Sequence, residues 1–125
     1  LLGVQQQLLL FGYSLKVYDC YRPQRAADDF AQWATRLDDQ QMKARFYPAV
    51  DKQQLFQQGT LAARSSHSRA SSVNLTIIRL PATEHPAFDP DAPLQSCEAF
   101  QSQRYADNSL DMGTGYDCFS PLSTT

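Results

Sequence analysis

Two side chains near the middle of this 125-residue sequence have the types and spacing to work on one centre. His67 sits in the polar run Ser65-Ser66-His67-Ser68-Arg69, and Asn74 follows seven residues later inside the β-branched run 73–80 (VNLTIIRL). An imidazole in such a place is a metal ligand or a hydrogen-bonded surface or core group. A strand alternates its side chains, so Asn74 and Thr76 share a face, and a loop histidine just upstream can converge with them. The other histidine, His85, follows Glu84 in a proline-flanked stretch and has no comparable company.

Those residues need elements to hold them. Leu1, Leu2, Val4, Leu8 and Leu9 recur at helical spacing, and Gly12 is a stop signal. Residues 15–19 (LKVYD) alternate apolar and polar and predict a strand ending in a turn. Pro23 suits a first helical turn, and Ala26, Phe30, Trp33 and Leu37 then fall on one face of a helix. Residues 38–59 predict short helices and loop, with Gly59 as a helix end. Residues 65–69 predict a polar loop, 73–80 a central strand, and 81–106 a surface insertion rich in Pro, Asp, Ser and Gln. The glycines of 110–119 (LDMGTGYDCF) are spaced for tight turns. We see no internal repeat. The fold class these elements predict is α+β, helices packed on a small antiparallel sheet, in a single domain over residues 1–125.

Composition narrows the function classes. Hydrophobic residues make up 42% and charged residues 19%, which is globular and not disordered. A net charge of −2 with scattered Lys and Arg leaves no nucleic-acid footprint. The opening run 1–11 is too short and too polar for a membrane span and has no positive n-region of a signal peptide; the sequence starts at Leu1, so the expectation is that a natural N-terminus precedes it. Of three cysteines, none forms a C-x-x-C pair, which excludes a thiolate zinc cage. Two readings of them stand: a Cys97–Cys118 disulfide, worth about 3 kcal/mol by loop entropy, or three free buried thiols. The bridge would point to an exported, periplasmic protein, the alternative being a cytoplasmic one.

Four segments, in order, resemble one known family. The run 65–76 (SSHSRASSVNLT) is similar to the Ser-x-His-x-x-Gly-x-x-x-Asp signature of the zinc D-Ala-D-Ala dipeptidases, the vancomycin-resistance-type branch of the M15 DD-peptidases. The run 17–23 (VYDCYRP) resembles that family's Tyr-Arg-Pro turn, 25–33 (RAADDFAQW) the helix after it, and 110–119 its Asp-Met-Gly-Thr-x-Phe-Asp segment. The resemblance implies a DD-peptidase/hedgehog-like α+β fold, incomplete at the C-terminal end. It also implies roles. His67 matches the first zinc ligand and position 74 the second, Arg22 the arginine that stabilises the oxyanion, Asp117 the carboxylate that holds the dipeptide ammonium, and Ser65 the serine at the substrate carboxylate. A fixed guanidinium suits an oxyanion, and a carboxylate suits an ammonium. Read without the resemblance, Arg22 pins a turn and Asp117 caps one.

Departures from the pattern are as informative. Position 74 is Asn where the family has Asp, and a neutral amide brings no charge to a zinc dication. Position 70 is Ala where the family has Gly, which costs on the order of 1 kcal/mol if that residue needs a positive φ. Ser120 and Thr124 stand where Asp and His are usual, and no Glu-x-x-His segment, the family's source of general base and third zinc ligand, occurs in the sequence. The expectation is therefore a D-Ala-D-Ala dipeptidase-like chain, impaired or inactive as it stands, with zinc as the family's cofactor and a small D-dipeptide as partner. The alternative is a non-catalytic D-dipeptide or peptidoglycan-fragment-binding relic.

Overall fold

Two strands carry the site. β1 (Tyr13–Asp19) and β2 (Asn74–Arg79) pair antiparallel, in register from Tyr13↔Arg79 to Val17↔Leu75. The register then slips between Val17 and Asp19, so that Asp19, not Tyr18, stands opposite Asn74. Such a bulge turns the strand end and re-aims its side chains. The residues in question are those of the signature and the Tyr-Arg-Pro turn. The computed structural model describes residues 1–57 and 64–123, and the expected helix end at Gly59 and the departure at Thr124 lie outside them.

The chain enters through α1 (Leu2–Leu10), which stops at Gly12, where φ is 75°. No residue of α1 is buried; it is tied to β1 by Gln5, which accepts from the Leu15 backbone N–H at 2.8 Å and donates to Ser14 at 3.0 Å. After β1 comes α2 (Gln24–Thr35), with Pro23 at its cap position, then the single-turn helices α3 (Lys43–Phe46) and α4 (Gln54–Gln57). A 3₁₀ turn at Ser66–Arg69 replaces the loop expected there and leads into β2. β2 is not a central strand. Among the described residues it has β1 on one side and a single bridge, Ile78↔Ser109, on the other. The fold is α+β, and no helix among the described residues is long and apolar enough to cross a membrane.

The core is small: Tyr47, Val50 and Leu55, with Trp33, Phe46 and Phe119 packed against it. Trp33 meets Tyr47 edge-on at 5.8 Å. Lys52 is buried over the Trp33 ring at 3.8 Å, and its ammonium donates to the carbonyls of Arg36 and Asp39, which satisfies a charge that would otherwise be costly there. The helical face expected to bury Ala26, Phe30, Trp33 and Leu37 does something different. α2 is buried through Ala27 and Ala34, whose small side chains allow close approach, while Phe30 and Leu37 stay exposed. The insertion 81–106 is exposed over much of its length, but Cys97 is buried and bonded to Cys118, and the Cys97 carbonyl accepts from Gly115 N–H at 2.8 Å. At Gly115 an added Cβ would stand 3.2 Å from that of Cys97, so glycine there is a matter of space.

Candidate active site

The end of β1 and the 3₁₀ turn before β2 are bound to each other by three contacts. The Arg22 backbone N–H donates to the His67 carbonyl at 3.3 Å. His67 Nδ1 lies 2.7 Å from the Cys20 carbonyl oxygen, so Nδ1 carries the proton and donates. Arg22 reaches back to Asp19, with Nη2 at 2.6 Å and Nε at 3.2 Å from the same carboxylate oxygen. That oxygen is in turn 4.0 Å from His67 Nδ1. Arg22 is thereby clamped, and its guanidinium lies 5.1 Å over the Phe30 ring. Asp19 is a site residue that the sequence reading treated only as a strand end. The signal was available, an acid three residues before an arginine where a strand gives way to a turn.

Ser65 caps the 3₁₀ turn, its hydroxyl accepting from His67 N–H at 3.2 Å. The turn closes on Ala70, at φ 53° and ψ 30°. This is the left-handed conformation that favours glycine, so Ala70 carries the cost foreseen for it. His67 is 9% exposed, and its Nε2 has no partner among the described residues.

Asn74, at the start of β2, donates through Nδ2 to the Tyr116 hydroxyl at 3.0 Å. Tyr116 stacks on Tyr18 with centroids 4.0 Å apart. Tyr18 donates to Asp107, and its phenol is pushed up to about 12, by burial first and by that carboxylate second. Asp107 also accepts from Ser109; burial raises its pKa, but the bonds from Ser109 and Tyr18 and the nearby Lys16 outweigh this and hold it below the usual range. Asn74 is thus the near end of a chain that runs through Tyr116 and Tyr18 to Asp107. Tyr116 stands where the resemblance has Phe, so the hydroxyl that engages Asn74 belongs to a second departure from the pattern.

Arg22, Ser65, His67, Asn74 and Asp117 all line one cavity of about 880 Å³, walled on another side by Ala26, Phe30 and Trp33 of α2. On the apolar face of α2, Ala26 and Phe30 are therefore cavity wall, while Trp33 both lines the cavity and packs against the core. Asp117 stands at the rim, accessible to solvent, with φ 56°. Desolvation raises its carboxyl pKa; Arg22 opposes that, Asp19 adds to it and His67 opposes it. His85 does not line this cavity and rests near the Tyr105 ring.

Zinc can be tested against these residues. A metal-binding imidazole needs one nitrogen fixed by a donor bond and the other open, and His67 has both. The rest does not fit. Asn74 is neutral and engaged with Tyr116, and among the described residues no group of three or more His, Cys, Asp or Glu could hold a metal ion. A catalytic zinc takes three protein ligands. These residues do not complete one.

A family model described as D-Ala-D-Ala dipeptidase, peptidase M15, matches residues 1–85, which include Arg22, Ser65, His67 and Asn74 but not Asp117. Three relatives, each named D-alanyl-D-alanine dipeptidase, align over 69 residues: one from Streptomyces coelicolor at 45% identity, one from Enterococcus faecium at 42% and one from Enterococcus faecalis at 41%. In each case the alignment covers 55% of this chain and 34% of the relative, so the matched stretch spans about a third of the relatives' length. With the signature residues gathered at one cavity and more than half of the chain matched, this chain belongs to the D-Ala-D-Ala dipeptidase family, peptidase M15.

Proposed function

We propose that the 880 Å³ cavity receives the D-Ala-D-Ala dipeptide and that the chain carries the substrate-recognition part of a D-Ala-D-Ala dipeptidase site. The observation that supports this most is the clamp of Arg22 by Asp19 beside His67, with Asp117 on the same cavity. A guanidinium held in place costs little reorganisation when it meets a carbonyl oxygen that gains negative charge. Asp117, when ionised, answers the ammonium end of the dipeptide. Ser65 contributes a hydroxyl whose oxygen accepts from His67 N–H, and whose proton, without an acceptor among the described residues, can meet the substrate carboxylate. The cavity size falls in the range of roughly 300–1,000 Å³ common to small-molecule sites.

Zinc supplies a Lewis acid and an activated water in this family. Because the described residues do not complete its coordination, we assign them binding and carbonyl polarisation, and no water activation. The Asn74–Tyr116 bond favours a second reading, recognition of the D-dipeptide without hydrolysis. The Cys97–Cys118 bridge supports an exported, periplasmic setting.

Calorimetric titration of the chain with D-Ala-D-Ala and with L-Ala-L-Ala, beside an assay of D-alanine release with and without added zinc, separates these readings. Saturable binding of the D,D form with little affinity for the L,L form supports recognition. D-alanine release that depends on added zinc supports the enzyme; binding without release supports the second reading. No binding of either dipeptide overturns both.

A further inference from the structure

Asp117 stands between two cavities, the first of about 880 Å³ and a second of about 650 Å³, and lines both. Open space on either side leaves little packing to hold its side chain. Among the described residues Arg22, Asp19 and His67 act on its carboxylate through charge, and no hydrogen bond reaches it. Its backbone is left-handed, at φ 56°, a conformation that is costly without glycine and persists where neighbours impose it.

The neighbours impose it from residues 97 and 98. Cys118, the next residue in the chain, is bonded to Cys97, and both are buried. The Gly115 N–H donates to the Cys97 carbonyl at 2.8 Å, and a Cβ added there would stand 3.2 Å from the Cys97 Cβ. Ser120 donates to the Glu98 carboxylate. From another side, the Phe119 N–H donates to the Phe46 carbonyl at 2.6 Å. Residues 115–120 therefore hang on Cys97 and Glu98, and the covalent tie is the one adjoining Asp117. Hydrogen bonds near a surface open and close, whereas a covalent link does not.

We propose that the Cys97–Cys118 bridge is a positioning device for Asp117. It holds the carboxylate at the rim of the first cavity, so recognition of the dipeptide's ammonium end needs the oxidised bridge and weakens under a thiol reductant. This rests on the reading that Asp117 meets that ammonium. To open the bridge, a dithiol gives up two electrons and two protons, becomes its own cyclic disulfide and leaves Cys97 and Cys118 as thiols. Residues 115–120 then keep only hydrogen bonds to residues 97 and 98, and the carboxylate must be ordered anew each time a ligand binds.

The test measures two ligands on the whole chain by calorimetry: D-Ala-D-Ala, and propionyl-D-Ala, which carries hydrogen in place of the ammonium. Their affinity ratio reads the Asp117 contact. In the oxidised chain the ratio is expected to be about tenfold, as a charge-assisted bond gives, and to be lost in Asp117→Asn. Reduction with dithiothreitol, or Cys97→Ser/Cys118→Ser, should lower the ratio by about threefold, the cost of ordering one loosened side chain, while the affinity for propionyl-D-Ala and the circular dichroism spectrum hold. A bridge with only a structural role lowers both affinities together or moves neither, and either outcome overturns the proposal. Where opening the bridge unfolds the chain, Gly115→Ala decides with the bridge kept, since its methyl crowds Cys97 and shifts the turn that carries Asp117. A ratio left at its original value in Gly115→Ala then overturns the proposal. A ratio that Asp117→Asn leaves unchanged in the oxidised chain overturns the reading of Asp117 itself, and the proposal with it.

Discussion

Asn74 and Tyr116, 42 positions apart in the chain, are joined by a hydrogen bond of 3.0 Å from the side-chain amide to the phenol oxygen. Each differs from the residue that the family pattern has at its position. Together they form a neutral contact that ends in the Tyr18–Asp107 pair. Asn74→Asp is expected to raise zinc affinity at least tenfold, since it adds an anionic oxygen to the cavity that His67 also lines. Asn74→Asp/Tyr116→Phe should bind zinc no more weakly. Titration with zinc alone checks this, and an affinity unmoved by the carboxylate would show that position 74 does not face the metal site.

Arg22 should be the residue whose replacement weakens dipeptide binding most. Arg22→Met is expected to cost about 2 kcal/mol of binding free energy, in the range of a hydrogen bond to a charged group. Arg22→Lys should recover less than half, because an ammonium cannot span the Asp19 carboxylate and a ligand carbonyl in one plane. Full recovery by lysine would mean that only charge matters there.

Ala70 sits at φ 53°. Ala70→Gly should stabilise the fold by about 1 kcal/mol, the strain relieved outweighing the added freedom of the unfolded chain. The urea midpoint measures it. A lower midpoint for the glycine variant would contradict a strained Ala70.

Asp117 makes a pH prediction whose sign follows from its raised carboxyl. The folded chain holds that proton more tightly than the unfolded one does. Its stabilising contribution is therefore complete below the ordinary value of 3.8 and fades as pH rises through the higher folded value. Asp117→Asn should leave acid stability alone, raise the melting temperature slightly at neutral pH, and weaken dipeptide binding. In the unmodified chain, binding should fall away on acidification at a higher pH than an ordinary carboxylate would give. A melting temperature at neutral pH that drops in Asp117→Asn would contradict a destabilising ionised Asp117.

The Cys97–Cys118 bridge closes a loop across a sequence separation of 21. Cys97→Ser/Cys118→Ser should cost about 3 kcal/mol by loop entropy. Unfolding curves with and without a thiol reductant check it, and reduction should affect only the bridged protein.

How much was legible in advance differs from element to element. α1, β1, α2 and β2 are readable because their cues are local: apolar spacing, alternation, a glycine stop. The gathering of Arg22, Ser65, His67 and Asn74 at one place is readable only through a family pattern, since no local rule relates positions 22 and 67. The use of α2's apolar face was misjudged for a physical reason. Periodicity reports that a face avoids water, not whether it meets a core or a cavity, and here Ala27 and Ala34 do the packing while Phe30 faces the site.

By itself, then, the sequence determined the residue types at the site, the departures at Ala70 and Asn74, and the order of elements that carry them. Tertiary structure alone decided the rest. The slip between Val17 and Asp19 put Asp19 opposite Asn74, the Cys20 carbonyl chose the protonated nitrogen of His67, and Tyr116 was brought to Asn74. These are relations between atoms distant in the chain, set by strand register and packing, and the periodicity of a single segment contains no term for them.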